Sequence, residues 1–473
     1  MHGRTRRDGP REGSRFFPLL RDVRRAGQGS PAEVASRQRA RLSGLIEFAR
    51  TRSAFYRKLY ASLPRGVDDL QTLPHVAKRD LMADFEAWTT DPVATRETAE
   101  AFVGDTALIG RLYLDRHVAF ATSGTTGRPA IFLHDRDAVA VYLALAAARR
   151  LPSLLSPGSI WPFLAGAGRT ATIVTTGGHF TSSVVESIAR KRFPRISGRN
   201  RLYSLLAPLP DLVAALNEFR PAIVGSYPTA LFLLAGEQAA GRLRIRPAVA
   251  LSGAERLSAA ARQRITEAFH CPVRDTYAAS EFMGIAFDCR FGRLHVNADW
   301  LILEPVDAEF RPVPPGEASF SSLLTNLANR VQPLIRYDLG DSITVAPAPC
   351  PCGSPLPVIR VEGRCDEILS LETPAGEMRA LLPLVLATVV EEVPGVGCYQ
   401  VIQRGPRRLC LRIDEAPGAA RLDVCDGVVR RLREYLSGQG LPTVDVHVTE
   451  ERVRRETGGG KLRQFLIEPP GEE

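Results

Sequence analysis

Lysine is rare in this chain, which has 473 residues and only four lysines against 57 arginines. A GC-rich genome is one source of such a skew. The lysine ammonium group is nevertheless a compact charge on a flexible stem, whereas guanidinium is planar and always charged. Each lysine is therefore a candidate for a task that arginine cannot perform. The four are Lys58, Lys78, Lys191 and Lys461.

The chain also lacks a hydrophobic run long enough to cross a membrane. Its longest apolar run, Ala138–Ala148, has 11 residues, against roughly 18 for a spanning helix. The N-terminus is basic but has neither the apolar core nor the small-residue cleavage site of a secretory leader. We therefore expect a cytoplasmic protein with no membrane partner.

Cysteine is too sparse for a disulfide framework, with eight in the chain. In a reducing compartment, clustered cysteines indicate a metal site or chance. The question for this sequence is therefore whether any of the eight come together in space.

The net charge of +9 is concentrated at one end of the chain. Residues 1–30 hold eight arginines against three acidic residues, which leaves only +4 for the rest. A basic groove is therefore not indicated, and we expect no nucleic-acid partner. The first 30 residues are expected to form a solvated, disordered tail, with phosphate or membrane contact as the alternative.

The composition, with 45% hydrophobic and 24% charged residues, is typical of a globular protein, and the length predicts two domains. Helical stretches alternate with short apolar runs between about residues 137 and 269, which predicts a largely parallel α/β body. Short runs broken by proline and glycine at 301–361 predict a β-rich subdomain. The expected divisions are the tail 1–30, a large α/β domain 31–363 and a small α+β domain 364–473.

The strongest single motif is segment 122–129, Thr-Ser-Gly-Thr-Thr-Gly-Arg-Pro. Its glycines allow tight turns, and its hydroxyl groups stand beside exposed amides, a combination that can cradle a polyphosphate. The segment lacks the spacing of a Walker loop and lies between two apolar runs rather than opening a helix. A plain polar turn between two strands is the alternative.

Segment 275–281, Asp-Thr-Tyr-Ala-Ala-Ser-Glu, is expected to follow directly after a strand. Ligands of α/β sheets bind at such strand ends. Tyr277 can stack on a base, Ser280 can bond a phosphate and Glu281 can hold Mg²⁺. A buried tyrosine beside a helix-capping Ser-Glu pair would give the same pattern.

Two further segments place charged residues on glycine turns. In 335–341, Asp341 follows Gly340 and suits a ribose diol, since a carboxylate accepts two hydrogen bonds; a turn with solvated acids is the alternative. In 457–463, three glycines precede Lys461 and make it the tip of a flexible loop.

In this order, and together with Gly363–Asp366, these segments resemble the adenylate-forming superfamily of acyl-CoA and aryl-CoA ligases. The resemblance extends from residue 122 to residue 461. It implies a mobile C-terminal domain and activation of a carboxylic acid by ATP and Mg²⁺ through an acyl-adenylate. The acyl group would then pass to a thiol, in the first place that of CoA.

The same resemblance implies roles for individual residues. Lys461 would be the catalytic lysine, Glu281 would bind Mg²⁺ and Asp366 would be the hinge. The ATP-binding and AMP-binding residues would be Thr122, Ser123, Gly124, Thr125, Thr126, Gly127, Ser252, Gly253, Ala254, Glu255, Asp275, Thr276, Tyr277, Ser280, Asp341 and Arg364.

Within the superfamily, the chain most resembles the branch of phenylacetate-CoA ligase and coenzyme F390 synthetase, through segments 252–255, 335–337 and 350–353. Members of this branch can carry a structural Zn²⁺ on one cysteine, one histidine and a Cys-x-Cys pair. Members of the branch also often form dimers, although this sequence shows no interface signature. The residues that fit the zinc set are Cys289, His295, Cys350 and Cys352. Buried thiols beside a surface histidine are the alternative.

Two departures from the family pattern bear on function. Ala278 replaces the usual glycine after the motif tyrosine and adds a methyl group where adenine would lie. Segment 369–380 lacks the glycine-rich turn that the family associates with CoA passage. The acceptor therefore stays open among CoA, a carrier-protein thiol and an amine.

The acid-binding surface of this family lies between the phosphate loop and the adenine motif. His179, Phe180 and Tyr227 fall in that stretch and favour an aromatic or medium-sized apolar acid. No carboxylate for the ammonium group of an amino acid can be identified. A non-catalytic nucleotide sensor is a further alternative, against which the presence of both Lys461 and Glu281 argues.

Overall fold

Helices and strands alternate along most of the chain. The computed structural model describes residues 13–468 apart from 68, 122–129, 155–156, 176–178, 180–183, 185–186, 189–197, 256, 258, 364–368, 382, 417 and 455–463. The helices of that part are α1 (Gly13–Gln28), α2 (Pro31–Arg52), α3 (Ala54–Leu59), α4 (Lys78–Ala83), α5 (Phe85–Trp88), α6 (Arg96–Gly104), α7 (Arg136–Leu145), α8 (Leu151–Leu154), α9 (Pro157–Ala165), α10 (Leu209–Phe219), α11 (Pro228–Ala239), α12 (Ala259–Phe269), α13 (Pro383–Glu391) and α14 (Arg421–Gly438), with 3₁₀ turns at Leu70–Thr72 and Thr106–Leu108 and a π-helical turn at Ala146–Arg150. The strands are β1 (Val118–Ala121), β2 (Ile131–His134), β3 (Thr170–Val174), β4 (Asn200–Ser204), β5 (Ile223–Ser226), β6 (Val249–Gly253), β7 (Val273–Ala279), β8 (Phe282–Asp288), β9 (Leu294–Val296), β10 (Leu301–Val306), β11 (Ser321–Asn326), β12 (Tyr337–Asp338), β13 (Ser342–Val345), β14 (Val358–Gly363), β15 (Leu369–Glu372), β16 (Met378–Leu381), β17 (Val396–Gln403), β18 (Arg408–Glu415), β19 (Asp445–Val448) and β20 (Phe465–Ile467).

A mixed sheet of nine described strands organises the large domain, in the order β13-β14-β9-β8-β7-β6-β5-β3-β4. One half of the sheet is parallel and consists of β4, β3, β5, β6 and β7. In the other half, β8, β9, β14 and β13 each run antiparallel to their neighbours. Helices α10, α11 and α12 pack a hydrophobic cluster against the parallel half, as crossover connections require. The predicted parallel body is confirmed for that half of the sheet.

The strands of segment 301–361 do not form a single separate subdomain, contrary to expectation. Strands β10, β11 and β12 make a three-stranded sheet, but β13 and β14 extend the main sheet. The extension follows because β14 pairs antiparallel with β9, with Val358 opposite His295. The prolines and the glycine at 312–316 lie in the connection between β10 and β11, which are neighbours in one sheet, and Pro305 lies inside β10.

Near the N-terminus, α2 and α3 are separated at Ser53. The Ser53 amide donates to the Ala49 carbonyl and closes α2, while its hydroxyl oxygen accepts from the Tyr56 amide and caps α3. One residue therefore serves both helix ends, which periodicity alone does not reveal.

No single described helix is both long and apolar enough to pass for a membrane span. A bent pair, Arg136–Leu154 with Ser159–Ala165, meets the length and composition test only when its two helices are joined, and they meet at 97°.

The small domain has a four-stranded sheet in the order β19-β18-β17-β20, flanked by α13 and α14, and a β15-β16 hairpin. The described elements from α13 to β19 follow the order helix, two strands, helix and strand. The domain contacts the large one through Val385, which joins the cluster under the parallel strands, and through the Gln439 side chain, which donates to the Ala207 carbonyl at 3.3 Å.

Glu391, on α13, predicts a pH dependence of stability. Burial raises the pKa of its carboxyl group to about 7, although hydrogen bonds from Tyr399 and Gln464 and the charge of Lys78 in the large domain act in the opposite direction. The Tyr399 hydroxyl donates to the carboxyl group at 2.9 Å. The folded state thus holds a proton that the unfolded chain, with its ordinary pKa of 4.5, releases earlier, so stability should fall as the pH rises from 4.5 to 7.

Urea unfolding at about pH 5 and about pH 7.5 tests this expectation. Glu391→Gln should lose less stability over that interval than the wild type. Glu392→Gln is the matched control, because Glu392 lies at the surface in an ion pair with Arg431. Equal losses in the wild type and in Glu391→Gln would contradict the expectation.

Candidate active site

Segment 275–281 is built into a β-hairpin and does not follow a strand. Strand β7 extends through Ala279, and Ser280 and Glu281 make the turn into β8. The prediction of a strand end before Asp275 was therefore wrong, because β8 supplies an antiparallel partner, with Tyr277 opposite Ala286, that keeps the segment extended. The register of the pair shifts at Ala278, the residue that replaces the usual glycine.

Tyr277 and Asp341 are brought together by the fold. The Tyr277 hydroxyl donates to the Asp341 carboxylate at 2.8 Å, across 64 residues of sequence. Burial and the Asp341 charge raise the pKa of Tyr277 well above its ordinary value, so the phenol stays protonated and remains a donor. The residues predicted for adenine and ribose therefore lie side by side.

Glu281 lies in the same neighbourhood and is only 7% exposed. Its carboxylate accepts a hydrogen bond of 2.8 Å from the hydroxyl of Tyr337, in β12. Tyr337 itself is 2% exposed, so its ring has little freedom to move. The predicted Mg²⁺ ligand is thus a buried carboxylate held by a residue of the ribose segment.

Residues 252–255 lie at the carboxyl end of β6, beside β7. A Cβ on Gly253 would lie 3.2 Å from the Thr276 carbonyl oxygen, so the close approach of the two strands favours glycine. Ala254 has a φ of +68°, which turns the chain sharply. Glu255 then accepts from the Thr229 hydroxyl at 2.6 Å and from its amide at 3.3 Å, at the N-terminus of α11. The negatively charged Glu255 carboxylate therefore lies at the positive end of the α11 dipole, where it is stabilising.

Asp275 and Thr276 continue the same edge of the sheet. Asp275 stands opposite Ser252 in the parallel pair of β6 and β7, and Thr276 stands opposite Gly253. Burial raises the pKa of Asp275, against the influence of Ser252 and Arg262. Its carboxylate accepts from the Thr276 amide at 3.0 Å.

His179 and Tyr227 line the stretch that was predicted to bind the acid. The buried His179 ring donates to the Val103 carbonyl at 3.0 Å, and the His179 carbonyl accepts from the Ala121 amide at 2.9 Å. Ala121 directly precedes the predicted phosphate loop. The Tyr227 hydroxyl accepts from the Thr175 amide at 3.4 Å, so this side chain is tied to the segment that follows β3, whereas the His179 ring is tied to α6.

Several predicted residues lie outside the described part of the chain. These are the whole phosphate loop, the pocket residue Phe180, the hinge region and the catalytic lysine. In full they are Thr122, Ser123, Gly124, Thr125, Thr126, Gly127, Phe180, Arg364, Asp366 and Lys461.

The predicted zinc residues form one cluster at the edge of the main sheet. The ligand atoms of Cys289, His295, Cys350 and Cys352 all lie within 4.8 Å of one another. The Cys289 and Cys350 sulfur atoms are 3.8 Å apart, and His295 Nε2 is 3.3 Å from the Cys352 sulfur. Zn–S bonds of about 2.3 Å in a tetrahedron place two sulfur atoms about 3.8 Å apart, so the spacing suits Zn²⁺.

Hydrogen bonds around this cluster favour metal binding. His295 Nδ1 donates to the Leu356 carbonyl at 3.1 Å, which leaves the Nε2 lone pair for a metal. Burial opposes ionisation of Cys350, but hydrogen bonds from the Cys352 amide and from the thiols of Cys352 and Cys289 outweigh it and lower the pKa of Cys350. The donor set and its surroundings therefore fit a structural zinc ion.

Sequence reasoning missed three residues that touch the Ser280–Glu281 turn. His134, Tyr142 and Asn326 are buried and lie on β2, α7 and β11. His134 lies 146 positions from Ser280 and Asn326 lies 45 positions from Glu281, and the three residues belong to no motif, so no spacing links them to the turn. A histidine closing the apolar run of β2 is the one local signal that was available.

Comparison with known proteins supports the resemblance found in the motifs. No family model matches the chain. A phenylacetate-coenzyme A ligase of Thermus thermophilus is 24% identical over 455 residues, which cover 92% of each protein. The similarity thus extends over nearly the whole length of both chains.

Solved structures show the same fold. A 2-hydroxyisobutyryl-CoA ligase with its acyl-adenylate and CoA, in the thioesterification state, superimposes with a TM-score of 0.60 at 19% identity, covering 94% of this chain and 92% of that one. The same ligase in the postadenylation state gives a TM-score of 0.56 at 19% identity, covering 94% and 91%. The predicted α/β fold of an adenylate-forming enzyme, with a small α+β domain at its C-terminus, is confirmed.

Proposed function

We propose that this homologue of phenylacetate-CoA ligase activates a carboxylic acid with ATP and transfers the acyl group to the thiol of CoA. One observation carries the proposal. The hydrogen bonds from Tyr277 to Asp341 and from Tyr337 to Glu281 join the adenine, ribose and Mg²⁺ segments into one site at the hairpin turn. The stability of the sheet alone would not require two carboxylate acceptors, those of Asp341 and Glu281, near one turn.

Adenylation in this site needs positioned charge and no side-chain nucleophile. An oxygen of the substrate carboxylate attacks the α-phosphorus of ATP, the bond to the β-phosphate oxygen breaks, and pyrophosphate leaves with its electron pair. Charge stabilisation and alignment then account for the rate. Mg²⁺ would arrive with ATP and neutralise the departing phosphates, since it prefers carboxylate and phosphate oxygens.

Each side chain has a proposed part in that step. Glu281 holds the metal through a carboxylate whose orientation Tyr337 restricts. Tyr277 presents its ring to adenine while its hydroxyl holds Asp341 toward the ribose. Ser280 contacts the α-phosphate, and the loop 122–127 holds the β-phosphate and γ-phosphate.

The second step transfers the acyl group. The thiolate of CoA attacks the carbonyl carbon of the acyl-adenylate, and AMP leaves from the same carbon. We propose that rotation of the small domain about Asp366 withdraws Lys461 between the steps and admits the thiol. Replacement of CoA by a carrier-protein thiol or an amine in the assay tests the acceptor directly.

The acid is proposed to be aromatic or apolar and of medium size. His179 and Tyr227 are buried and tied to backbone groups near the base of the phosphate loop. Neither brings a negative charge, so nothing in this pair favours an ammonium-bearing substrate.

Zinc is proposed as a structural ion on Cys289, His295, Cys350 and Cys352, outside the reaction. It would tie the loop between β8 and β9 to the loop between β13 and β14. We place the enzyme in the cytoplasm, where reducing conditions keep these thiols available.

Acid-dependent ATP–pyrophosphate exchange tests the proposed function. A panel of aryl, fatty and amino acids should give exchange with one class of acid, and added CoA should yield the corresponding thioester. The absence of exchange with every acid, together with retained binding of MgATP, would instead favour a nucleotide sensor.

A further inference from the structure

The Ser280–Glu281 turn is held by its two backbone carbonyl groups. His134 Nε2 lies 2.8 Å from the Ser280 carbonyl oxygen, and Asn326 Nδ2 donates to the Glu281 carbonyl at 2.9 Å. His134 is 1% exposed and Asn326 is 0% exposed. Two buried side chains, one on β2 and one on β11, therefore form hydrogen bonds with successive residues of one turn.

Tyr142 connects these two side chains. Its hydroxyl lies 3.0 Å from His134 Nδ1 and accepts from Asn326 Nδ2 at 2.9 Å. Its ring packs edge to face on Phe282, the first residue after the turn, at 4.7 Å between ring centres. The hydroxyl group thus bonds to both side chains that hold the turn, while the ring packs on the residue that follows it.

The donors and acceptors of the three side chains can be assigned without conflict. A carbonyl only accepts, so His134 carries its proton on Nε2 and accepts at Nδ1 from the Tyr142 hydroxyl. Burial lowers the pKa of His134 to about 4, which keeps the ring neutral. Asn326 uses its two amide protons for Tyr142 and Glu281, while its oxygen accepts from the Ala328 and Asn329 amides. The network is complete, and such networks specify one geometry.

We infer that His134, Tyr142 and Asn326 are positioning residues that set where Glu281 presents its carboxylate to the metal of MgATP. The inference rests on the proposed function. The carboxylate itself is held by Tyr337, so the backbone and the side chain of Glu281 are fixed by separate contacts. A displacement of about 1 Å at such a group costs on the order of 100-fold in rate.

The network also belongs to the hydrophobic core of the large domain, so a purely structural role must be distinguished from positioning. Tyr142→Phe removes one hydroxyl group, keeps the ring on Phe282 and leaves His134 Nδ1 and one Asn326 proton unpaired. Tyr113→Phe is the matched control. Tyr113 lies in the same core, is 3% exposed, and its hydroxyl bonds to Thr98 Oγ1 at 2.6 Å, away from the turn.

Mg²⁺ dependence is the readout that a structural role would not change. In Tyr142→Phe we expect the Mg²⁺ concentration for half-maximal exchange to rise about 10-fold, because the two buried hydrogen bonds of this hydroxyl group are lost. Tyr113→Phe should lower the melting temperature by a comparable amount but keep the Mg²⁺ dependence of the wild type. His134→Gln, which keeps a donor for the Ser280 carbonyl, should retain more activity than His134→Leu.

A readout without turnover completes the test. Imidazole ¹⁵N spectra of the substrate-free protein should show the neutral Nε2–H tautomer of His134 from about pH 6 to pH 8, and calorimetry should show weaker MgATP binding by Tyr142→Phe. Robust wild-type exchange with unchanged Mg²⁺ dependence in Tyr142→Phe would overturn the inference. Absence of wild-type exchange would overturn the proposed function instead, while the calorimetric comparison would still decide the positioning role.

Discussion

Replacing Lys461 with alanine is expected to lower acid-dependent ATP–pyrophosphate exchange by about 10³-fold, the upper range for loss of one preorganised charge in a site. The ammonium group would lie between the substrate carboxylate and the α-phosphate, where two negatively charged groups must approach each other. Its loss removes the positive charge that is proposed to offset this repulsion at the reacting atoms.

The described residues on either side explain how this lysine would be presented. Upstream, Gln400 and Arg454 exchange hydrogen bonds of 3.0 and 2.9 Å. Downstream, the Val401 amide donates to the Gln464 carbonyl at 2.7 Å, and Phe465 pairs with Val401 in the parallel β17-β20 ladder. Arg454 and Gln464, the described residues before and after the glycine-rich segment, are thus held by adjacent residues of β17 in the small domain.

Half-reactions separate this role from a general loss of structure. Lys461→Ala should still convert a supplied acyl-adenylate and CoA to the thioester at close to the wild-type rate, since the lysine is withdrawn for that step. Lys58→Ala is the control, because Lys58 is an exposed lysine on α3. Wild-type exchange in Lys461→Ala would refute the assignment, and equal loss of both half-reactions would indicate a folding defect.

Removing zinc is expected to lower the melting temperature by at least about 10 °C, because metal binding at a structural site contributes folding free energy directly. The cluster joins residues 61 positions apart, Cys289 and Cys350, and it holds the β14 end of the main sheet. Its four ligands have no equivalent set of partners once the metal is lost.

Elemental analysis should find one zinc per chain in the purified protein. Cys352→Ser should lose the metal and show the full drop in melting temperature, and chelation followed by restored Mg²⁺ should reproduce it. Cys425→Ser is the matched control, since Cys425 is a half-buried cysteine of α14 outside the cluster. A metal-free protein, or a Cys352→Ser variant as stable as the wild type, would contradict the zinc proposal.

Local patterns were sufficient for most of the fold. The apolar runs of β3, β5 and β6 and the periodic helices between them predict a parallel sheet, because their residues are adjacent in sequence. The pairing of β14 with β9 could not be predicted in this way. It depends on a return of the chain over more than 60 positions, and no periodicity records such a return.

The candidate site also has a part that the sequence predicts and a part that only the fold determines. The residue types of segments 275–281 and 335–341 indicated nucleotide chemistry, because carboxylates, hydroxyl groups and an aromatic ring on turns suit phosphate, ribose and base. Only the folded chain placed Tyr277 on Asp341 and Tyr337 on Glu281. Each contact joins a strand tyrosine to a carboxylate on a distant turn or loop, so the partners are determined by how the strands pack.

The amino-acid order alone established the scarcity of lysine, the run of motifs and the set of candidate metal ligands, all of which are written in residue type and spacing. The disordered tail expected at 1–30 was wrong from residue 13 on, because residues 13–28 form α1, which buries Val23 and Ala26 in the large domain. The tertiary structure decided that the ligand atoms of the four candidate zinc residues lie within 4.8 Å of one another. It also decided that His134 and Asn326, linked by Tyr142, bind the backbone of the Ser280–Glu281 turn. The physical reason is that a buried hydrogen bond requires two groups to meet in space. Burial in a shared core brings them together, whereas sequence distance says nothing about it.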